Sequence, residues 1–142
     1  MKKILAVLLV TAGISWQAGA QKLDAAKVPA AVKQAFAKKY PGLTAKWEME
    51  SGNYEAAFKK DGKSMSAVFE PGGNMMESEV AIKVTALPAE VLTYVKEHYK
   101  GAVIREAARI TKADGTVNFE AEVNKMDVLF DAKGKFIKEA KD

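Results

Sequence analysis

A single histidine, His98, and no cysteine stand in a chain of 142 residues. Without thiols there is no cysteine nucleophile, no thiolate metal ligand, no disulfide framework and no lipid-modified cysteine. One histidine cannot build a His-rich metal centre, and no Ser or Asp motif accompanies it as a nucleophilic triad would require. His98 closes a helical pattern and reads as a solvent-facing helix-end side chain. The carboxylates are scattered over segments with strand alternation, so none pair off as a glycosidase acid and base. Asp61-Gly62 and Asp114-Gly115 lack the run of oxygen ligands that a calcium loop continues with, and turn chemistry accounts for both. Gly72-Gly73 follows Pro71 and reads as a turn rather than a phosphate cradle. The residues therefore predict no catalytic group, no cofactor and no metal site, and a protein that is not an enzyme.

What remains for these side chains is recognition. Lys and Arg number 22 against 18 Asp and Glu, and 49% of the chain is hydrophobic, which is the make-up of an ordinary folded domain. Lys and Glu alternate along much of the sequence, whereas nucleic-acid binders gather basic residues on one face. Lys38-Lys39 and Lys59-Lys60 read as solvated helix and hairpin ends. Nucleic acid is not an expected partner.

The first 20 residues read as a signal peptide. Lys2 and Lys3 precede the apolar run Ile4 to Val10, and Ala18-Gly19-Ala20 offers the small residues of a cleavage site. That run is too short to cross a ~30 Å hydrocarbon core, which takes roughly 20 apolar residues. Cleavage after Ala20 leaves residues 21–142, with 20 basic and 18 acidic side chains. The expected mature protein is periplasmic or secreted and not embedded in a membrane.

The elements that position the recognition residues come in duplicate. Val28-Pro29-Ala30-Ala31-Val32, closing in Tyr40-Pro41-Gly42, returns 59 residues later as Leu87-Pro88-Ala89-Glu90-Val91, closing in Tyr99-Lys100-Gly101. Tyr54-Glu55-Ala56-Ala57-Phe58 matches Phe119-Glu120-Ala121-Glu122-Val123 at an offset of 65, and Phe69-Glu70 with Gly73 matches Phe130-Asp131 with Gly134 at 61. Two repeats follow, about 24–82 and 87–142. Each opens with a helix: Pro29 and Pro88 suit its first turn, and Val28, Val32, Phe36 and Tyr40, like Leu87, Val91, Val95 and Tyr99, recur at helical spacing.

Strands follow each helix. A two-residue turn at Ser51-Gly52 sets Met49 against Tyr54 and Trp47 against Ala56, and one at Asp61-Gly62 sets Phe58 against Met65 and Tyr54 against Phe69. Both choices gather the same apolar residues on one face, with Trp47 beneath the first helix. In the second repeat, a turn at Asp114-Gly115 predicts Ile110 opposite Phe119, Ala108 opposite Ala121 and Arg109 opposite Glu120. A turn at Asn124-Lys125 predicts Val123 opposite Met126 and Phe119 opposite Phe130. Met75 to Ile82 and Lys135 to Glu139 are candidates for a fourth strand. The predicted class is α+β: two tandem helix-plus-antiparallel-strand repeats sharing a sheet as one domain, both helices on one face and the other face open.

The open face is where recognition is expected. In this register it carries Lys46, Glu48, Glu55, Ala57, Ser64, Ser66 and Val68, then Ala107, Arg109, Glu120, Glu122, Asp127 and Leu129. From these, Lys46, Glu48, Glu55, Val68, Arg109, Glu120, Glu122 and Leu129 form the candidate partner-binding set. Charged groups around small apolar ones make a polar-rimmed contact patch. Of the adjacent Met75 and Met76 one faces away from the core; partial burial against the junction of the repeats is expected there, with a second contact surface as the alternative.

This succession of Pro-started helix, Tyr-Pro-Gly end, Tyr-Glu-x-x-Phe strand, Asp-Gly turn and Phe-x-x-x-Gly strand resembles the beta-lactamase-inhibitor-like, PepSY-like family. The resemblance spans Val28 to Asp142. It implies an exported bacterial protein of tandem helix-plus-sheet units, and with that shape inhibition or protein binding. True inhibitors of that shape carry disulfides, which this chain lacks, and no inhibitory residues are matched. The expected partner is another exported or envelope protein. The alternatives are a self-associating envelope module, with a homodimer as its simplest form, and a small-ligand binder.

Overall fold

The computed structural model describes residues 20–141; of the signal peptide expected over residues 1–20, all but Ala20 lies outside them. The chain divides into two units between Ser78 and Glu79, and each enters its helix in the same way. A 3-10 turn, Ala25–Lys27 or Val84–Ala86, leads to a proline and then to α1 (Ala30–Lys39) or α2 (Ala89–His98). Pro29 and Pro88 cap these helices, one position earlier than the first turn predicted for them. Their φ of −53° is preset by the ring. Their carbonyls accept the first helical hydrogen bonds, from the Lys33 N–H at 3.1 Å and the Leu92 N–H at 3.4 Å.

The strands of the first unit are β1 (Gln21–Leu23), β2 (Lys46–Glu50), β3 (Asn53–Lys60), β4 (Lys63–Phe69) and the start of β5 (Met75–Ile82). Those of the second are β6 (Ile104–Lys112), β7 (Val117–Val123), β8 (Met126–Asp131) and β9 (Phe136–Lys141). Within each unit they lie side by side in chain order. Both fourth-strand candidates are formed. Strand β1 has too little pattern in three residues to be read from sequence.

Three hairpins have the predicted register. Ser51-Gly52, Asp61-Gly62 and Asn124-Lys125 are two-residue turns with positive φ at both positions, whose twist matches the flanking strands. Met49 faces Tyr54, Phe58 faces Met65, and Val123 faces Met126.

The β6–β7 hairpin corrects the prediction. Its loop has three residues, Ala113, Asp114 and Gly115, closed by a 2.9 Å bond from the Lys112 N–H to the Thr116 carbonyl. Gly115 has φ +85°, and the Asp114 carboxylate accepts the Thr116 N–H at 2.8 Å. This is a turn followed by a left-handed glycine, the usual three-residue solution. The extra loop residue moves the register by one. Arg109 faces Phe119 rather than Glu120, Ala108 faces Glu120, and Ile110 faces Asn118. Because side chains alternate, Ala107 and Arg109 exchange faces with Ala108 and Ile110. A bulge between Ile104 and Ala107 takes up the odd residue.

Each helix covers one face of its own strands. In the first unit Val28, Val32, Phe36 and Tyr40 pack on Trp47, Ala56, Phe58, Ala67 and Phe69. Phe36 is the centre, with the rings of Tyr40, Trp47 and Phe58 at 5.2–5.5 Å. In the second unit Leu87, Val91 and Val95 pack on Ala107, Ala121, Val123, Val128 and Phe130. Burial of each large apolar side chain contributes roughly 1.5–3 kcal/mol, so these two clusters hold the helices down.

Gly73 and Gly134 show the closeness of that packing. They turn β4 into β5 and β8 into β9 with φ +92° and +84°, directly against the start of a helix. A Cβ on Gly73 would come within 2.7 Å of the Ala31 carbonyl oxygen, and one on Gly134 within 2.7 Å of the Glu90 Cβ. Both positions need a residue with no side chain.

Candidate binding face

The face of the strands turned away from the helix differs in character between its rim and its centre. In the first unit Lys46 and Ala57 are exposed and Glu48 is half-buried, while Glu55, Ser66 and Val68 are buried. In the second, Ala108, Ile110, Asn118, Glu120, Glu122, Asp127 and Leu129 are all buried. The expectation of an open face is thus corrected at its centre. Glu55 and Glu120 lie on β3 and β7, each flanked by strands on both sides. Each retains only 6% of its exposure.

The candidate residues fall into separate groups. Lys22, Glu48, Glu55 and Val68 form one straight row across β1, β2, β3 and β4, with Lys46 two residues along β2. Glu120 and Leu129 form a row across β7 and β8, and Glu122 stands opposite Asp127. Arg109 leaves the set: it is exposed, but on the helix side of β6. Glu50, Glu77, Ile110 and Asn118 were not expected at this face. Asn118 and Ile110 were hidden by the hairpin register, and Glu77 of β5 by a strand without clean alternation.

The electrostatics of the first unit follow from placing like charges together. Glu48 is directly opposite Glu55, an arrangement that destabilises a strand pair. Burial, chiefly, pushes the Glu55 carboxyl up to about 7; the Ser66 hydroxyl opposes this, while Glu48, Glu50 and Glu77 add to it. Burial, and then Glu48, also raises Glu50. One oxygen of Glu55, Oε1, is buried without a hydrogen-bond partner. This arrangement suits a neutral carboxyl better than an anion.

No group of three or more His, Cys, Asp or Glu that could hold a metal is found among the described residues. His98 stacks on Tyr94 at 3.9 Å, with Nδ1 placed 3.0 Å from the Tyr94 carbonyl oxygen. Its environment is that of a helix end. A half-open hollow of about 330 Å³ lies against β1 and β2, lined by Lys22, Leu23, Ala25, Ala45, Lys46, Trp47 and Glu48. Among the described residues no helix is long and apolar enough to cross a membrane.

Duplicated helix-plus-strand units with a helix on one face define an α+β class that the sequence profiles recognise. Residues 14–65 and 52–138 each match the family "Putative beta-lactamase-inhibitor-like, PepSY-like", and the chain belongs to it. Among solved structures it is similar to a "BLIP-like protein" from Bacteroides fragilis, 26% identical, with a TM-score of 0.63 over 79% of this chain and 85% of that one. It is also similar to a "putative periplasmic" protein from Bacteroides eggerthii, 19% identical, with a TM-score of 0.70 over 80% of this chain and 88% of that one. The second likeness is one of fold. No curated protein matches the chain.

Proposed function

We propose that the protein is an exported, non-enzymatic binding module of the cell envelope that recognises another envelope protein through the helix-free face. The observation that carries this reading is the division of each unit: one face lies under a helix, and the other presents charged and apolar side chains with no helix of its own unit over it. Family membership and the likeness to a "BLIP-like protein" support recognition of a protein. Export rests on the basic, apolar and small-residue order of residues 1–20 and on the likeness to a "putative periplasmic" protein. The same proposal has β5 joining the two repeats into one sheet.

With the face's centre buried, the proposal puts recognition at the accessible rim. Lys46, Ala57 and the half-buried Glu48 are the residues a partner would reach first, and Glu120 is a packing residue to leave alone. The test is affinity capture from an envelope fraction with the chain from Gln21 as bait. Lys46→Glu with Glu48→Lys should abolish recovery of one defined protein while the melting temperature stays close to wild type. Undiminished recovery with this variant, lost instead on changing Met75 or Met76, moves the contact to β5. Recovery of the bait alone, with a dimer by light scattering, replaces the binding reading with self-association.

A further inference from the structure

We propose that the Glu48–Glu55 row is a proton-operated joint: the first unit holds a proton on Glu55, and its loss loosens β2, with β1, from β3. The inference is independent of what the face binds. The groups facing Glu55 come from three strands. On β2 they are Glu48 directly across, itself opposite Lys22 of β1, and Glu50 on the same face, with Lys46 at the far end, opposite Ala57. On β4 they are Val68 across and Ser66, which faces Ala57, and neither carries a charge. On β5 the neighbour is Glu77. An anionic Glu55 therefore meets three carboxylates, and its buried Oε1 has no donor to hold a charge. Burial above all, opposed by the Ser66 hydroxyl and reinforced by these carboxylates, pushes the Glu55 carboxyl up to about 7.

The strand that gives way is set by the lengths of the ladders. Strand β3 is joined to β4 over seven residue pairs, to β2 over five, and β2 to β1 over three. Strand β1 is the outermost of its unit, so β2 can part from β3 together with β1, and of the two ladders that hold β3 this is the shorter. The hollow against β1 and β2 leaves space beside the strand that moves.

Linkage gives the sign. Glu55 binds its proton more tightly folded than open, so stability of the joint is complete below about 4.5 and is lost as pH rises towards 7. Over that window opening increases by up to about tenfold per pH unit and then levels off. The test is amide hydrogen exchange at Trp47–Glu50 between pH 5 and 8, each rate divided by its intrinsic value. In the wild type the opening of β2 should grow by up to about a hundredfold between pH 5 and 7, and β4 should not follow. In Glu55→Gln, β2 should be flat with pH. An unchanged pH dependence in Glu55→Gln, or equal loosening of β2, β3 and β4, overturns the joint. Carboxyl-carbon NMR of the wild type keeps the proposal testable where the variant does not fold. A Glu55 midpoint near 7 that falls in Glu48→Gln supports it, and a midpoint in the ordinary glutamate range overturns it.

Discussion

Replacing Gly73 by alanine tests how closely the β4–β5 turn is built against the helix. Two penalties add at this position. The backbone has φ +92°, and a side-chain-bearing residue in left-handed space costs roughly 1–2 kcal/mol. The new methyl would also lie 2.7 Å from the Ala31 carbonyl oxygen and 3.1 Å from its carbon. These are backbone atoms in the first turn of α1, so no rotamer change relieves the overlap. Relief requires moving a helix whose Val32 and Phe36 are already packed, and such overpacking costs about 1–3 kcal/mol. Gly62→Ala is the control, since Gly62 has φ +76° but nothing within 4 Å of the added Cβ. It should lose only the backbone part. Urea denaturation followed by Trp47 fluorescence reads the difference, because Trp47 is the only tryptophan in residues 21–142. Gly73→Ala should be less stable than Gly62→Ala by about 1–3 kcal/mol. Equal losses would refute the claim that the turn and the helix start are in rigid contact.

Phe36→Ala, which removes the ring at the centre of the first aromatic cluster, should cost about 3–5 kcal/mol in the same assay. Glu55→Gln should abolish a fall in wild-type stability of at most about 3 kcal/mol between pH 4.5 and 7, read as urea midpoints across that range. Residues 24–82 and 87–142 expressed separately should each unfold more readily than the whole chain, because a core of about 60 residues alone is marginal; thermal melts that match the intact protein would show two independent domains. The exported protein should have the intact mass of a chain beginning at Gln21, and a mass that retains residues 1–20 would refute cleavage there.

The repeats, helices and most of the strand register were legible because they rest on strong local signals. Proline before a helical stripe, and two-residue turns flanked by alternation, leave little choice of pairing once Tyr54, Ala56 and Phe58 must share a face. Asp114-Gly115 failed for a local reason. The same dipeptide serves a two-residue loop or the end of a three-residue one, and Ala113 gives no sign of which. The candidate face was legible as a set of positions but not as an environment. Alternation assigns Glu55 and Glu120 to the side without a helix, and polar residues there are ordinarily read as solvated. Their burial is a tertiary property, which no single strand's pattern encodes. Strand β1 and the 3-10 turns are too short to carry a period.

The three-residue loop and the bulge at Ile104/Ala107 act as a pair of phase defects. Between them the strand is inverted relative to its counterpart in the first repeat; outside them Ile104 and Val117 resume the common frame. A duplicated unit can in this way exchange the chemistry of both surfaces of one strand while its helix, its remaining strands and their turns stay as they were. Arg109 stands on the helix side and Ile110 on the opposite one because of the loop length and the bulge. Divergence between the halves of such a tandem is then to be sought in single-residue length changes as much as in residue identities, and an alignment that slides past those changes will compare side chains from opposite faces.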